Sequence, residues 1–274
     1  MYRQRVIFNS KWLLVMLLVV LVVYASYVIN VILPLWSIIT GPEDYNVEKN
    51  FSLRSHAIVS VLQWSRINSE CYLLPVLFPI CITIGLLNFK EDLQTYFIFG
   101  KNRFDSYGKE LVRTMLLYSL TMSLIFTLGH CLIYIIFYLI TPLTTDISLE
   151  STSYLFNFMV PSNLFEGYPV YYFLTTVILN DIPIIFSYTL FFCVSTVYLK
   201  NNLFLFAIFP TVFSFILLYG SNSLNFEYGD LSVPFLGYYS NVFEIWKYTV
   251  IPLIGFVIGL AVHLMRVGEN DEYK

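Results

Sequence analysis

Asp181 is the acidic side chain in this sequence that sits deepest within an apolar stretch, 170–199, and so invites a chemical reading first. An ionisable group at membrane depth is costly and marks a candidate ion or substrate path. Near the outer boundary of the stretch the same charge would cost little. Pro183, two residues on, removes an amide hydrogen and leaves a carbonyl to be satisfied by polar neighbours or water. Asp181 and Pro183 therefore read either as a structural kink or as part of a pathway lining. His130 lies midway along another apolar stretch, directly after Gly129, while His56 and His263 fall elsewhere. Their spacing puts no carboxylate beside any of them. His130 reads as a hydrogen-bonded packing histidine, with a proton relay or ligand as the alternative.

A second constellation lies in the segment 90–111, KEDLQTYFIFGKNRFDSYGKEL. Leu93, Tyr96, Phe97 and Phe99 form one apolar flank of a short helix, with Lys90, Glu91, Asp92 and Gln94 expected to face water. Gly100 breaks that helix, and Lys101, Asn102 and Arg103 follow. Such a helix at a membrane surface offers aromatics and charges to a cytoplasmic partner, or simply rests in the interface.

Enzymatic signatures do not appear. The sequence holds no GxxxxGK[ST] phosphate loop, no HExxH and no GxSxG. Cys71, Cys81, Cys131 and Cys193 fall within or beside apolar stretches and form no CxxC pair. They read as small packing residues rather than as a disulfide or zinc set. The expectation is a chain that is not an enzyme and has no catalytic residue, metal ligand or cofactor-binding residue of its own.

The elements that must position these residues are membrane spans. Six apolar stretches, about 12–36, 70–89, 112–140, 170–199, 203–219 and 247–265, have the ~17–25 residues that cross a bilayer as a helix. Hydrophobic residues make up 58% of the chain and charged residues 12%. Soluble domains carry about 25% charge, so this composition suits lipid rather than water. The stretches are continuous rather than alternating, which excludes a barrel wall. Trp12, Trp36, Trp64, Tyr72, Tyr171, Tyr172 and Trp246 gather at their ends, as headgroup-seeking rings do. The apolar run after Lys11 is too long for the ~7–15-residue core of a signal peptide and reads as a retained anchor.

Charge fixes the expected orientation. With a cytoplasmic N-terminus, the inner segments hold Arg3, Arg5, Lys11, Lys90, Lys101, Arg103, Lys109, Arg113, Lys200, Arg266 and Lys274. The outer ones hold Lys49, Arg54, Arg66 and Lys247. Both termini are therefore expected in the cytoplasm. The first eleven residues suit a short interfacial helix or a basic tail. The segment 40–69 is expected outside, as is 141–169, which has no basic residue. The turn Lys200-Asn201-Asn202 makes the fourth and fifth spans antiparallel neighbours. The segment 220–246, rich in Gly, Ser, Asn and aromatics, suits a re-entrant outer structure. The expected fold class is an all-α polytopic membrane protein, one transmembrane domain over 1–274.

This arrangement resembles the transmembrane permease of a type-2 ABC exporter. The resemblance rests on six spans, cytoplasmic ends, a basic N-terminal segment and the 90–111 loop. In that loop Glu91-Asp92, Thr95, Arg103 and Gly108-Lys109 stand where the family has acidic residues, a Gly-Thr pair, a Ser-Arg pair and Gly-Lys. The resemblance implies that Glu91, Asp92, Leu93, Thr95, Tyr96, Phe97 and Arg103 belong to a coupling helix and its flanks. That helix would dock on a separate cytoplasmic ATPase that binds the ATP. It also implies a second permease, identical or homologous, and a path between the halves formed by spans one, two and five. The apolar, aromatic character there fits a hydrophobic peptide, antibiotic or lipid-linked cargo, moved outward across the cell membrane. The wealth of Phe, Tyr, Ile and Asn matches an AT-rich bacterial genome. No nucleic-acid partner is expected. Two other classes fit the same residues. One is a non-pumping scaffold or immunity protein that binds a partner through 220–246. The other is an ion-coupled carrier working through Asp181.

Overall fold

The computed structural model describes the backbone of residues 10–27, 73–100, 106–140, 169–199 and 245–272, with Ile208 and Val212. All of these elements are helical: α1 Ser10–Tyr27, α2 Leu73–Gln94, α3 Tyr96–Gly100, α4 Tyr107–Ile140, α5 Pro169–Leu199 and α6 Ile245–Glu272. Three carry stretches long and apolar enough to cross a bilayer: Tyr107–Leu132, Asp181–Leu199 and Tyr248–Val267. The chain is a membrane protein. The expected fifth span (203–219) apart from Ile208 and Val212, the segments 40–69 and 141–168, most of 220–246, the N-terminal nine residues, Arg103, His56 and Cys71 lie outside the described residues.

Helix is the state in which lipid-embedded backbone satisfies itself. The hydroxyls inside the helices follow the same rule. Thr121 donates to Leu117 O, Ser123 to Leu120 O, Thr189 to Ile185 O and Thr196 to Phe192 O. Each polar group is thereby closed onto its own helix. Pro79 and Pro183 stand inside α2 and α5. In α2, Thr83 Oγ1 donates to Pro79 O at 2.9 Å, one turn back.

Helix ends have identifiable causes. Thr95 closes α2: its N–H is shared between Glu91 O (3.1 Å) and Asp92 O (3.3 Å), and its hydroxyl donates to Glu91 O. The helix of the expected span 70–89 thus runs on to Gln94 before the elbow to α3. Ser106 opens α4, its hydroxyl accepting from Lys109 N–H and its carbonyl from Glu110 N–H. That cap starts the helix five residues before the expected 112. Its 34 residues reach about 51 Å at ~1.5 Å each, longer than a ~30 Å hydrocarbon layer.

The bundle is arranged around α4 and α5, which share the most extensive contact. On α4, Leu111, Met115, Tyr118, Met122 and Phe126 point into the core, at helical spacing. The opposite face exposes Leu116, Leu120, Leu124 and Leu128, continued downward by exposed Lys109 and Arg113. Leucines toward lipid ending in cations toward headgroups is the pattern of a bilayer-facing helix.

Glycines set the close approaches. A Cβ on Gly85 of α2 would stand 2.5 Å from the Trp12 ring of α1, and one on Gly129 of α4 would stand 3.2 Å from Met16 O and Val19. Gly255 and Gly259 of α6 receive Phe191 and Val194 of α5. These pairings also fix direction. Trp12 meets Tyr118 and Val19 meets Gly129, so α1 runs parallel to α4. Gly85 lies beside Met122 and Phe89 beside Tyr118, so α2 runs against α4. His130 meets Asp181 and Ser119 meets Cys193, so α5 also runs against α4. Phe191, Val194 and Tyr198 meet Gly255, Gly259 and His263 in order, so α6 is parallel to α5.

Candidate functional site

Two polar sites stand at different depths of the bundle. The first gathers the start of α1, the elbow between α2 and α3, the start of α4 and the end of α6. Lys11 Nζ lies 3.6 Å from Glu91 Oε1, a largely solvated pair worth about 0–1 kcal/mol. Asp92 is instead 7% exposed, and Tyr118 donates to its Oδ2 at 2.9 Å. Lys90 is buried as well, and that burial pushes its ammonium below the usual lysine pKa. Lys90 and Asp92 were expected to face water. The extra turn of α2 carries them into the bundle, where Asp92 reaches across to α4.

The apolar flank is likewise used internally. Leu93 and Phe97 are buried core residues, and Tyr96 is half-buried. What the elbow leaves exposed is Glu91, Gln94, Thr95 and Ile98, the last at 54%. Of the residues singled out in the sequence for this loop, Leu93 and Phe97 anchor it, while Glu91 and Thr95 stand at its surface.

From that anchor a row of rings crosses the bundle. Tyr96 and Phe97 are 5.3 Å apart by centroid, Phe97 and Tyr107 6.0 Å, Tyr107 and His263 6.1 Å, and His263 and Tyr198 6.3 Å. Tyr107 Oη is 3.3 Å from His263 Nε2, and Tyr198 donates to Gly259 O at 2.6 Å. The short helix α3 is therefore in packed continuity with α4, α6 and α5. No motif spacing announces this, because the contributing residues come from four separate elements.

The second site is buried in the bundle, at the end of the candidate spans opposite the elbow. His130 Nδ1 of α4 lies 2.7 Å from Asp181 Oδ2 of α5, at 2% and 1% exposure. The pair corrects the expectation that His130 has no carboxylate partner, since the two are 51 positions apart in sequence. Asp181 is buried by neighbouring helices rather than solvated, and it is the first residue of the candidate span Asp181–Leu199. About 18 residues of α5 and ~27 Å separate it from Leu199, and twelve residues of the helix precede it. Pro183, half-buried, follows it within the helix.

Along α4, Ser119, Ser123 and Thr127 lead to His130 at intervals of four, four and three, all buried. Ser119 faces the Cys193 thiol, and among the described residues Thr127 Oγ1 is buried without a hydrogen-bond partner. The spacing of this stripe is helical periodicity, a signal present in the sequence itself. Among the described residues no group of three or more His, Cys, Asp or Glu is placed to hold a metal ion. Comparison with protein-family models, curated proteins and solved structures finds no match to this chain.

Proposed function

We propose that this chain is the membrane-spanning subunit of an ATP-driven transporter, resembling a type-2 ABC exporter permease. The single observation that carries the reading is the elbow at Thr95. It forms a short surface helix rooted in the core by Leu93 and Phe97 and offers Glu91, Gln94, Thr95 and Ile98 outward. A rooted, short, exposed helix is a suitable lever for a force-delivering partner. The ring row from Phe97 to Tyr198 gives the lever something to move.

The topology supports six crossings. Because α5 and α6 run parallel, the chain between Leu199 and Ile245 has to return to the far side, and the apolar run 203–219 is long enough to do so. The ends of the chain nearest Lys11 and Arg266 lie on the side that also holds Lys90, Lys109 and Arg113, which supports a cytoplasmic placement for both termini. In this reading ATP is bound and hydrolysed by a separate ATPase, and this chain carries no catalytic residue. A second permease copy or homologue completes the path, in the cell membrane, for an amphipathic cargo.

The test is co-purification from native membranes in mild detergent. Wild type is expected to retain an ATPase subunit, and Ile98→Asp and Thr95→Arg to lose it while keeping their elution profile. Retention unchanged in both variants, or no ATPase with wild type in several detergents, overturns the reading.

A further inference from the structure

The outward face of α4 combines an apolar track with charge at one end. Leu116, Leu120, Leu124 and Leu128 are between 42% and 55% exposed and recur every fourth residue, so they line one side of the helix. From Leu116 to Leu128 the stripe rises about 18 Å at ~1.5 Å per residue. Half of a ~30 Å hydrocarbon layer is about 15 Å, so the stripe has the length of one acyl chain in its leaflet. Arg113 and Lys109 stand three and seven residues before Leu116, on the same side and both exposed. At a spacing of four residues their Cβ atoms lie about 5–6 Å apart, close enough for both side chains to reach one anion.

The other exposed apolar faces end differently. On α1, Leu13, Leu17 and Leu21 face outward, but the lysine at their base, Lys11, lies 3.6 Å from Glu91. On α6, Ile254, Ile258 and Met265 lead to a single exposed cation, Arg266. The α4 stripe ends in two cations. Glu110, between them in sequence, is half-buried, and neither cation is within ion-pair distance of a carboxylate among the described residues. Lys109 also stands in the first turn of α4, where the aligned peptide dipoles disfavour a cation and favour an anion.

We propose that this face of α4 binds one anionic phospholipid, with its phosphate between Lys109 and Arg113 and an acyl chain along the leucine stripe. The guanidinium presents paired N–H donors to the phosphate oxygens, and the ammonium adds a point charge. A zwitterionic headgroup carries its own cation beside the phosphate and is repelled by the same pair, so the site selects for net negative charge. The stripe supplies contact area and direction, which a free phosphate ion cannot use. The inference needs only the membrane setting and is independent of the transporter reading.

The test is native mass spectrometry of the full chain, released from nanodiscs that hold equal amounts of phosphatidylglycerol and phosphatidylcholine with identical chains. Wild type is expected to retain one phosphatidylglycerol in preference to phosphatidylcholine. A cation beside an anionic lipid surface contributes about fivefold in binding, so Lys109→Gln and Arg113→Gln should each lower that preference by about this factor. Lys11→Gln, on α1, should leave it unchanged, and the charge-preserving exchange of Lys109→Arg with Arg113→Lys should keep it. Equal retention of the two lipids by wild type overturns the proposal, as does an unchanged preference in both glutamine variants. If one of these variants fails to insert, the other decides. Displacement of the bound lipid by inorganic phosphate, or equally well by short-chain phosphatidylglycerol, overturns the role given to the leucine stripe and leaves only an anion site.

Discussion

Asp92 and Lys90 are two residues apart, both buried, and their burial has different consequences. Asp92 accepts a hydrogen bond from Tyr118, a charge-assisted contact of about 1.5–3 kcal/mol. Tyr118→Phe should lower the stability of the bundle by about that amount, read as a drop in its detergent unfolding midpoint, with the ring packing on Phe89 kept. For Lys90 the sign is opposite. Its pKa in the folded chain is lowered by burial, so the unfolded chain binds more protons over the interval between the two values. Stability then rises with pH through that alkaline interval. Lys90→Met should lose that slope, which unfolding at pH 7, 9 and 10 would reveal.

At the scale of elements, glycine contacts decide which helices can touch. A leucine at Gly129 would drive into Met16 O and Val19, against backbone that cannot yield cheaply. Gly129→Leu should therefore detach α1 from α4, with a loss of about 1–3 kcal/mol, measurable as a lowered unfolding midpoint. The same residue shows what the sequence could convey. The apolar runs at 112–140 and 170–199 were legible because lipid selects composition over a whole helix, and the structure places helices there. Their ends were not legible: the cap at Ser106 and the closing bonds of Thr95 depend on a few polar atoms that hydropathy averages away. The His130–Asp181 contact was invisible for a third reason. It is set by the register of two helices, and register follows from packing across the whole α4–α5 face.

For the whole molecule, the thiols report the packing. Cys81, Cys131 and Cys193 are free and buried within the bundle. With Cys71 replaced by Ser, the folded protein in membranes should resist a membrane-impermeant maleimide until denatured. In the same background Lys109→Cys, on the exposed face of α4, should label from one side of the membrane only. Labelling of the three native cysteines without denaturant would contradict the packing described. The orientation would be reversed if Lys109→Cys reacted from outside intact cells.

The attachment of α6 carries a consequence for biogenesis. Over Tyr248–Val267 only 6% of the helix is buried by the rest of the chain, and its seat on α5 is built from Gly255 and Gly259. It is also the last described helix to leave the ribosome. A segment apolar on almost every side enters lipid on its own composition, without waiting for a partner. Assembly is therefore expected in two stages, a core of α1, α2, α4 and α5 first and the docking of α6 on α5 afterward, which truncation before Ile245 would test. A nascent chain stopped before Ile245 would already hold the Asp92–Tyr118 and His130–Asp181 contacts, while the ring row would wait for His263 to arrive.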